Sequence, residues 1–249
     1  MLKKWIGMYG WRARLGLLVP ATNSVMEPEF NKMAQQLDGV SVHASRMSIP
    51  EEPLSVDLEV KFSSLAMVEK AAREVAQVGV SAISFGSTGG SFVEGIQHDL
   101  SIIKKIEEAT GIPAVTPSTS VISALKHLGI EKVGVATPYP RDLNERLKVF
   151  LKEQSFTVID FREHTTSEVL KIGRYPPEVA YSIAREISDE ADGIFISCTD
   201  FRTIEIIEML ERDTDKPVVT SNQATMFRLL NTVRIKDPIR GYGRLLEKR

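Results

Sequence analysis

Short apolar runs rich in β-branched residues punctuate the chain at 15–20, 40–46, 82–85, 114–116, 133–137, 157–161, 193–197 and 218–221. Between them, apolar residues recur three and four positions apart. In 65–78 the stripe is Leu65, Val68, Ala72, Val75 and Ala76, and comparable stripes run through 96–109, 118–128, 143–153, 177–187 and 203–211. A strand that is apolar at consecutive positions must be covered on both faces, and a helix after each strand supplies that cover. The alternation therefore predicts an α/β fold with parallel sheets flanked by helices.

The eight strands fall into two sets of four with matching texture. Arg14-Leu-Gly-Leu-Leu-Val-Pro20 parallels Lys132-Val-Gly-Val-Ala-Thr-Pro138. Ala82-Ile-Ser-Phe-Gly-Ser-Thr88 parallels Gly193-Ile-Phe-Ile-Ser-Cys-Thr199, and Gly111-Ile-Pro-Ala-Val-Thr-Pro-Ser118 parallels Asp215-Lys-Pro-Val-Val-Thr-Ser-Asn222. The offsets are 118, 111 and 104 residues, shrinking as the loops of the second half shorten. A duplicated four-strand unit implies two lobes related by a pseudo-two-fold axis. We assign residues 1–117 to the first lobe, completed by 225–249, and residues 118–224 to the second.

Composition narrows the function. Of 249 residues, 43% are hydrophobic and 26% charged, and the net charge is -2, so no basic face is implied for nucleic acid or an anionic membrane surface. No apolar run approaches the roughly 20 residues of a spanning helix. The stretch 1–14 is too broken in its apolar residues for a secretory signal and reads as a leading arm. A single cysteine excludes an intramolecular disulfide and any multi-cysteine metal site, so a cytoplasmic setting is expected. His43, His98, His127 and His164 are scattered, without metal-ligand spacing, and His98 and His127 read as solvent-facing. Neither a metal nor a cofactor is expected; homo-oligomerisation is left open.

In open parallel sheets, ligands bind beyond the carboxyl ends of the strands. That directs attention to Pro20-Ala-Thr-Asn23, Ser87-Thr-Gly-Gly90, Pro138-Tyr139 and Cys198-Thr-Asp200. Cys198 ends an apolar strand, ahead of a helix opened by Thr199 or Asp200, a position where the dipole would lower the thiol pKa. The ordinary alternative is a buried cysteine acting as a small hydrophobe. Ser87 occupies the matching place in the first lobe, so the repeat sets a Ser/Cys pair across one cleft. The segment at Gly86–Gly90 lacks the lysine of a P-loop and the G-x-G-x-x-G spacing, and reads as a loop that brings backbone N–H groups to a carboxylate. Asn23 and Tyr139 are neutral donors suited to the same ligand. Each has a structural alternative: a helix cap, with Ser24-x-x-Glu27 as a capping box, and a packed aromatic between Pro138 and Pro140.

Val19-Pro-Ala-Thr-Asn-Ser-Val-Met-Glu-Pro-Glu29, Phe85-Gly-Ser-Thr-Gly-Gly-Ser-Phe92, Ala136-Thr-Pro-Tyr139 with Asn144-Glu-Arg146, Ile196-Ser-Cys-Thr-Asp-Phe-Arg-Thr203 and Gly241-Tyr-Gly-Arg-Leu-Leu246 together resemble the aspartate/glutamate racemase superfamily. The resemblance spans nearly the whole chain, in order, and is to the branch holding maleate cis–trans isomerase and arylmalonate decarboxylase. It implies two lobes, no cofactor, and a small carboxylate or dicarboxylate bound between them. In the isomerases each lobe contributes a cysteine, one attacking the alkene and one delivering a proton. Cys198 matches the second-lobe cysteine, whereas Ser87 stands at the first-lobe position, where arylmalonate decarboxylase has glycine. Thr88 and Tyr139 match residues that hold the substrate carboxylate in the decarboxylase, and Asn23 matches the isomerases.

A hydroxyl without a base is almost wholly protonated at pH 7, so Ser87 is a poor substitute for a thiol, and no histidine is placed by sequence to activate it. The leading expectation is therefore decarboxylation of a malonate-type diacid through an enediolate protonated by Cys198, with Thr88, Gly89, Thr199 and Tyr139 forming the anion pocket. An isomerase-like or racemase-like enzyme with Ser87 in place of the first thiol is the alternative. A carboxylate-binding protein that has lost its first catalytic group is the third.

Overall fold

The structure, a computed structural model, describes residues 9–247; residues 1–8 of the expected leading arm lie outside the described residues. The first half runs β1 (Ala13–Pro20), α1 (Met26–Ala34), β2 (Val40–Met47), α2 (Val56–Phe62), α3 (Leu65–Ala76), β3 (Ala82–Phe85), α4 (Thr88–Phe92), α5 (Ile96–Thr110) and β4 (Ala114–Val115). The second runs α6 (Pro117–His127), β5 (Lys132–Thr137), α7 (Arg141–Glu153), β6 (Thr157–Glu163), α8 (Val169–Ile172), α9 (Pro177–Arg185), β7 (Gly193–Ile196), α10 (Ile207–Thr214), β8 (Val218–Thr220), α11 (Ser221–Thr232) and α12 (Arg244–Glu247).

Two four-stranded parallel sheets result, ordered β2-β1-β3-β4 and β6-β5-β7-β8. The second order is the first advanced by four strands, as the duplicated texture predicts. Successive β1 residues divide between the two faces. Leu15, Leu17 and Val19 join α1 residues Met26 and Phe30, while Leu18 joins Ile83, Phe85, Val68 and Ile106 under α3 and α5. Cover on both faces is why the strand reads as an unbroken apolar run rather than an alternation.

The duplication extends to the caps. Thr116 and Thr220 each open the helix after the last strand of a sheet with a capping box, through Thr119 and Gln223. These two helices also cross between lobes: α6 packs on α11 and reaches β8, and α11 returns to β3 and β4. The apolar cluster containing β1 continues through Leu229 and Leu230 to Val133, Val135 and Ile194, so the lobes share one core.

In each sheet the chain leaves one side of the first strand and returns on the other, which makes β1/β3 and β5/β7 the switch points where open α/β sheets bind ligands. Two expected helical features differ. The segment expected to be helical from 203 begins its helix only at Ile207, because the Thr203 and Ile204 N–H groups donate to Glu29 Oε1 at 2.9 and 3.2 Å instead of entering a helix. His98, expected to face solvent, is half-buried with Nε2 3.1 Å from Ser63 Oγ, whereas His127 is exposed. No helix among the described residues is long and apolar enough to cross a membrane.

Candidate active site

The loop after β1 ties the two lobes together through Asn23. Its Oδ1 accepts from the N–H groups of Val25 and Met26 at 3.0 and 2.9 Å, and its Nδ2 donates to Thr199 Oγ1 at 3.0 Å. Thr199 Oγ1 in turn donates to Gly86 O at 2.8 Å. Asn23 therefore does the work expected of the Ser24 capping box. The Ser24 N–H is turned to Asp200, donating to Oδ1 at 2.8 Å. Asp200 is buried and its carboxyl is pushed up to about 7 by loss of hydration, against the donors from Ser24, Val25 and Gly173.

In the first lobe, Ser87 caps α4: its Oγ accepts from Gly90 N at 3.0 Å and donates to Glu59 Oε2 at 2.9 Å. Glu59 lies on α2, sharing its buried face with Leu58 and Phe62. A Cβ on Gly89 would come within 2.5 Å of Glu59 Oε1, so the carboxyl occupies the space that glycine leaves open. Burial raises the Glu59 carboxyl to about 7, with the Ser87 hydroxyl and the Gly90 N–H pulling the other way. Sequence reading missed Glu59. The signal was an acid inside the Leu58/Phe62 stripe, within a helix too short to stand out.

In the second lobe, Cys198 lies two residues past β7 and lines the cleft, half-buried, with φ of 109°. Left-handed backbone is strained for a residue with a Cβ and persists where the surroundings over-determine it. Here the Cys198 N–H donates to Ser221 Oγ at 3.1 Å, and Ser221 Oγ accepts from Thr88 Oγ1 of the first lobe at 2.9 Å. No helix follows the thiol directly, which corrects the expectation of a lowered pKa: α10 starts nine residues later. Instead burial raises the thiol, the Asp200 carboxyl adds to the rise, and the Asp200 N–H and Tyr139 hydroxyl oppose it. A neutral S–H results at pH 7. Tyr139 is itself buried against Phe92, its ring centroid 5.9 Å away, and its hydroxyl accepts from Ser197 Oγ at 3.2 Å.

All seven sequence-predicted site residues (Asn23, Ser87, Thr88, Gly89, Tyr139, Cys198 and Thr199) line one cavity of about 50 Å³ between the lobes. Glu59 and Asp200 complete its polar side. Ile49, Leu54, Phe62, Val169 and Ile172 form an apolar wall. As the first residues of α4, Thr88 and Gly89 have N–H groups with no intrahelical acceptor, available to an anion. Among the described residues no Lys, Arg or His lines the cavity, so a bound carboxylate would meet neutral donors only. Outside lies a groove of about 1080 Å³ between residues 48–53 and 167–174, sharing Thr22, Ile49 and Val169 with the cavity. The two rims meet where Leu54 N donates to Ser167 O at 2.8 Å. Among the described residues no group of three or more His, Cys, Asp or Glu is placed to hold a metal ion.

This duplicated fold, with its cavity at two facing switch points, is that of known enzymes. The arylmalonate decarboxylase family profile matches residues 15–246. The chain is 28% identical over 238 residues to arylmalonate decarboxylase of Bordetella bronchiseptica, covering 94% of this chain and 96% of the relative. It is 23% identical over 245 residues to maleate isomerase of Pseudomonas putida, covering 94% and 96%. A crystal structure of a maleate isomerase variant from Pseudomonas putida with maleate superposes with a TM-score of 0.88 at 22% identity, covering 94% of this chain and 97% of that one. The chain belongs to the arylmalonate decarboxylase family and is an enzyme of that family.

Proposed function

We propose that the chain is a cofactor-independent decarboxylase of a small malonate-type diacid. One carboxylate would rest on the donors at Thr88, Gly89, Thr199 and Tyr139, oriented by the Asn23–Thr199 contact. The other would lie against the wall of Leu54, Phe62 and Val169, where it loses hydration and gains no donor. The bond to that second carboxylate breaks and carbon dioxide leaves. Its electron pair passes into the first carboxylate as an enediolate held by neutral donors. The Cys198 S–H then gives its proton to the carbon, and the thiolate, steadied by the Asp200 N–H, recovers a proton from water.

The state of Cys198 carries this reading. It is the chain's one thiol, and burial keeps it protonated, the form a proton donor needs and a nucleophile does not. Maleate-type isomerisation by covalent attack would need a nucleophilic thiol at the first-lobe position, where this chain has Ser87. The similarity to a protein named arylmalonate decarboxylase supports the substrate class. Separate incubation with phenylmalonate and with maleate, following carbon dioxide and fumarate, tests the proposal. Carbon dioxide from phenylmalonate is expected; fumarate from maleate without carbon dioxide from phenylmalonate would overturn it.

A further inference from the structure

Ser87 is the residue that the repeat sets opposite Cys198, yet it is not the reactive group of its lobe. Its hydroxyl hydrogen is committed to Glu59 Oε2 at 2.9 Å, and its oxygen accepts from Gly90 N at 3.0 Å. The group with an exchangeable proton and an open position on that side is the Glu59 carboxyl, which lines the same cavity as Cys198. Nothing among the described residues neutralises it with a cation, since no Lys or Arg reaches it; its nearest relations are a hydroxyl, a backbone N–H and the glycine that makes room for it. A buried acid with two weak donors and no cation is costly for the fold alone. The arrangement suits a group that must pass between its neutral and charged forms.

We propose that Glu59 is a second proton-transferring catalytic residue, on the face of the substrate carbon opposite Cys198, and that the enzyme therefore exchanges and inverts the α-hydrogen of small 2-aryl or 2-alkyl monocarboxylates. Two-sided proton transfer is what the racemase-like resemblance implies; the structure adds the first-lobe group that can perform it, Glu59 rather than Ser87. With the acid's carboxylate on the neutral donors, the ionised Glu59 takes the α-hydrogen as a proton, and the carbon–hydrogen electron pair moves into the carboxylate to give the enediolate. Return of a solvent-exchanged proton from Glu59 restores the same hand with exchange. Delivery of the Cys198 proton to the other face gives the opposite hand, leaving Glu59 protonated and Cys198 as thiolate until both re-equilibrate with water. Ser87 acts as a positioning residue, holding Glu59 Oε2.

The pH dependence is set by the groups around the cavity. Cys198 and Tyr139 remain neutral near pH 7 because burial raises both, while Asp200 and Glu59 ionise in the same range. Exchange through Glu59 should therefore rise with pH up to about 7 and level off above it.

The test uses the two enantiomers of 2-phenylpropionate, each incubated separately in heavy water with the full chain, with deuterium at the α-carbon read by mass spectrometry at early times. Wild-type enzyme should exchange the hand whose α-hydrogen faces Glu59, and more slowly the other hand, whose α-hydrogen only the minor thiolate form of Cys198 can take; the ratio of the two rates is the readout. Glu59→Gln should change that ratio at least 100-fold, by suppressing exchange from one hand, and Cys198→Ala should move it in the opposite direction. Glu59→Asp should restore part of the lost exchange. A structural role for Glu59 would slow both hands alike and leave the ratio unmoved, which would overturn the proposal, as would no exchange by wild type. Carbon dioxide release from phenylmalonate without exchange would leave the decarboxylase reading standing and remove this one; exchange without carbon dioxide would do the reverse.

Discussion

Glu59 on α2 and Ser87 at the cap of α4, 28 residues apart in sequence, share a 2.9 Å hydrogen bond inside the cavity that also holds Cys198. The contact gives the first lobe a titratable group where the second has its thiol. It also changes the meaning of the serine, from a weak substitute for cysteine to the holder of a buried acid.

That acid should leave a mark on stability. In the unfolded chain a glutamate ionises near 4.5, whereas folded Glu59 holds its proton up to about 7. Between those values the folded state binds a proton that the unfolded state has released. The favourable contribution is complete below about 4.5 and is lost as pH rises through about 7. Glu59→Gln removes the charging cost, so the variant should gain on wild type by on the order of 2–3 kcal/mol at pH 8 and far less at pH 5. Thermal unfolding at the two pH values checks this. Wild type and Glu59→Gln should both weaken with rising pH, because burial raises Glu29 and Asp200 in the same direction.

The backbone at Cys198 predicts a conflict between stability and activity. With φ of 109°, a side chain there is held in a region that favours glycine. Cys198→Gly should be more stable than Cys198→Ala by about 1 kcal/mol, although neither retains the thiol. Denaturant midpoints of the two variants decide it; equal midpoints would mean the strand end relaxes freely.

Ser87→Cys restores a thiol at the position the resemblance assigns to the first lobe. Glu59 would lie beside it as a ready base, so fumarate formation from maleate should appear or rise sharply, growing with pH as the new thiol ionises. Assays of fumarate across pH 6–9 read the gain. Absence of fumarate with a thiol that still reacts with an alkylating agent would mean that the substrate binds differently from both relatives.

The strands were legible because a parallel sheet covered on both faces leaves unbroken apolar runs. The duplication was legible because Gly16 and Gly134, Ser87 and Cys198, and Thr116 and Thr220 recur in order. What sequence could not supply were effects of distant packing. Glu59 reads as one acid among Glu51, Glu52 and Asp57, and only the fit of α2 on α4 strips its water. The dipole expected at Cys198 is absent because Glu29, far back in α1, takes the N–H groups of Thr203 and Ile204 and delays the helix. The pKa expectation therefore had the wrong sign, while the position of the thiol in the cleft was readable from the strand end.

Decarboxylation as proposed rests on proton delivery by Cys198. Phenylmalonate turned over in heavy water by wild-type enzyme should give carbon dioxide and a first-formed product with one deuterium at the α-carbon and a single hand. Cys198→Ala should lower carbon dioxide release at least about 100-fold while unfolding within about 1 kcal/mol of wild type. A folded Cys198→Ala enzyme that releases carbon dioxide at most of the wild-type rate, with product of the same hand, would contradict the account.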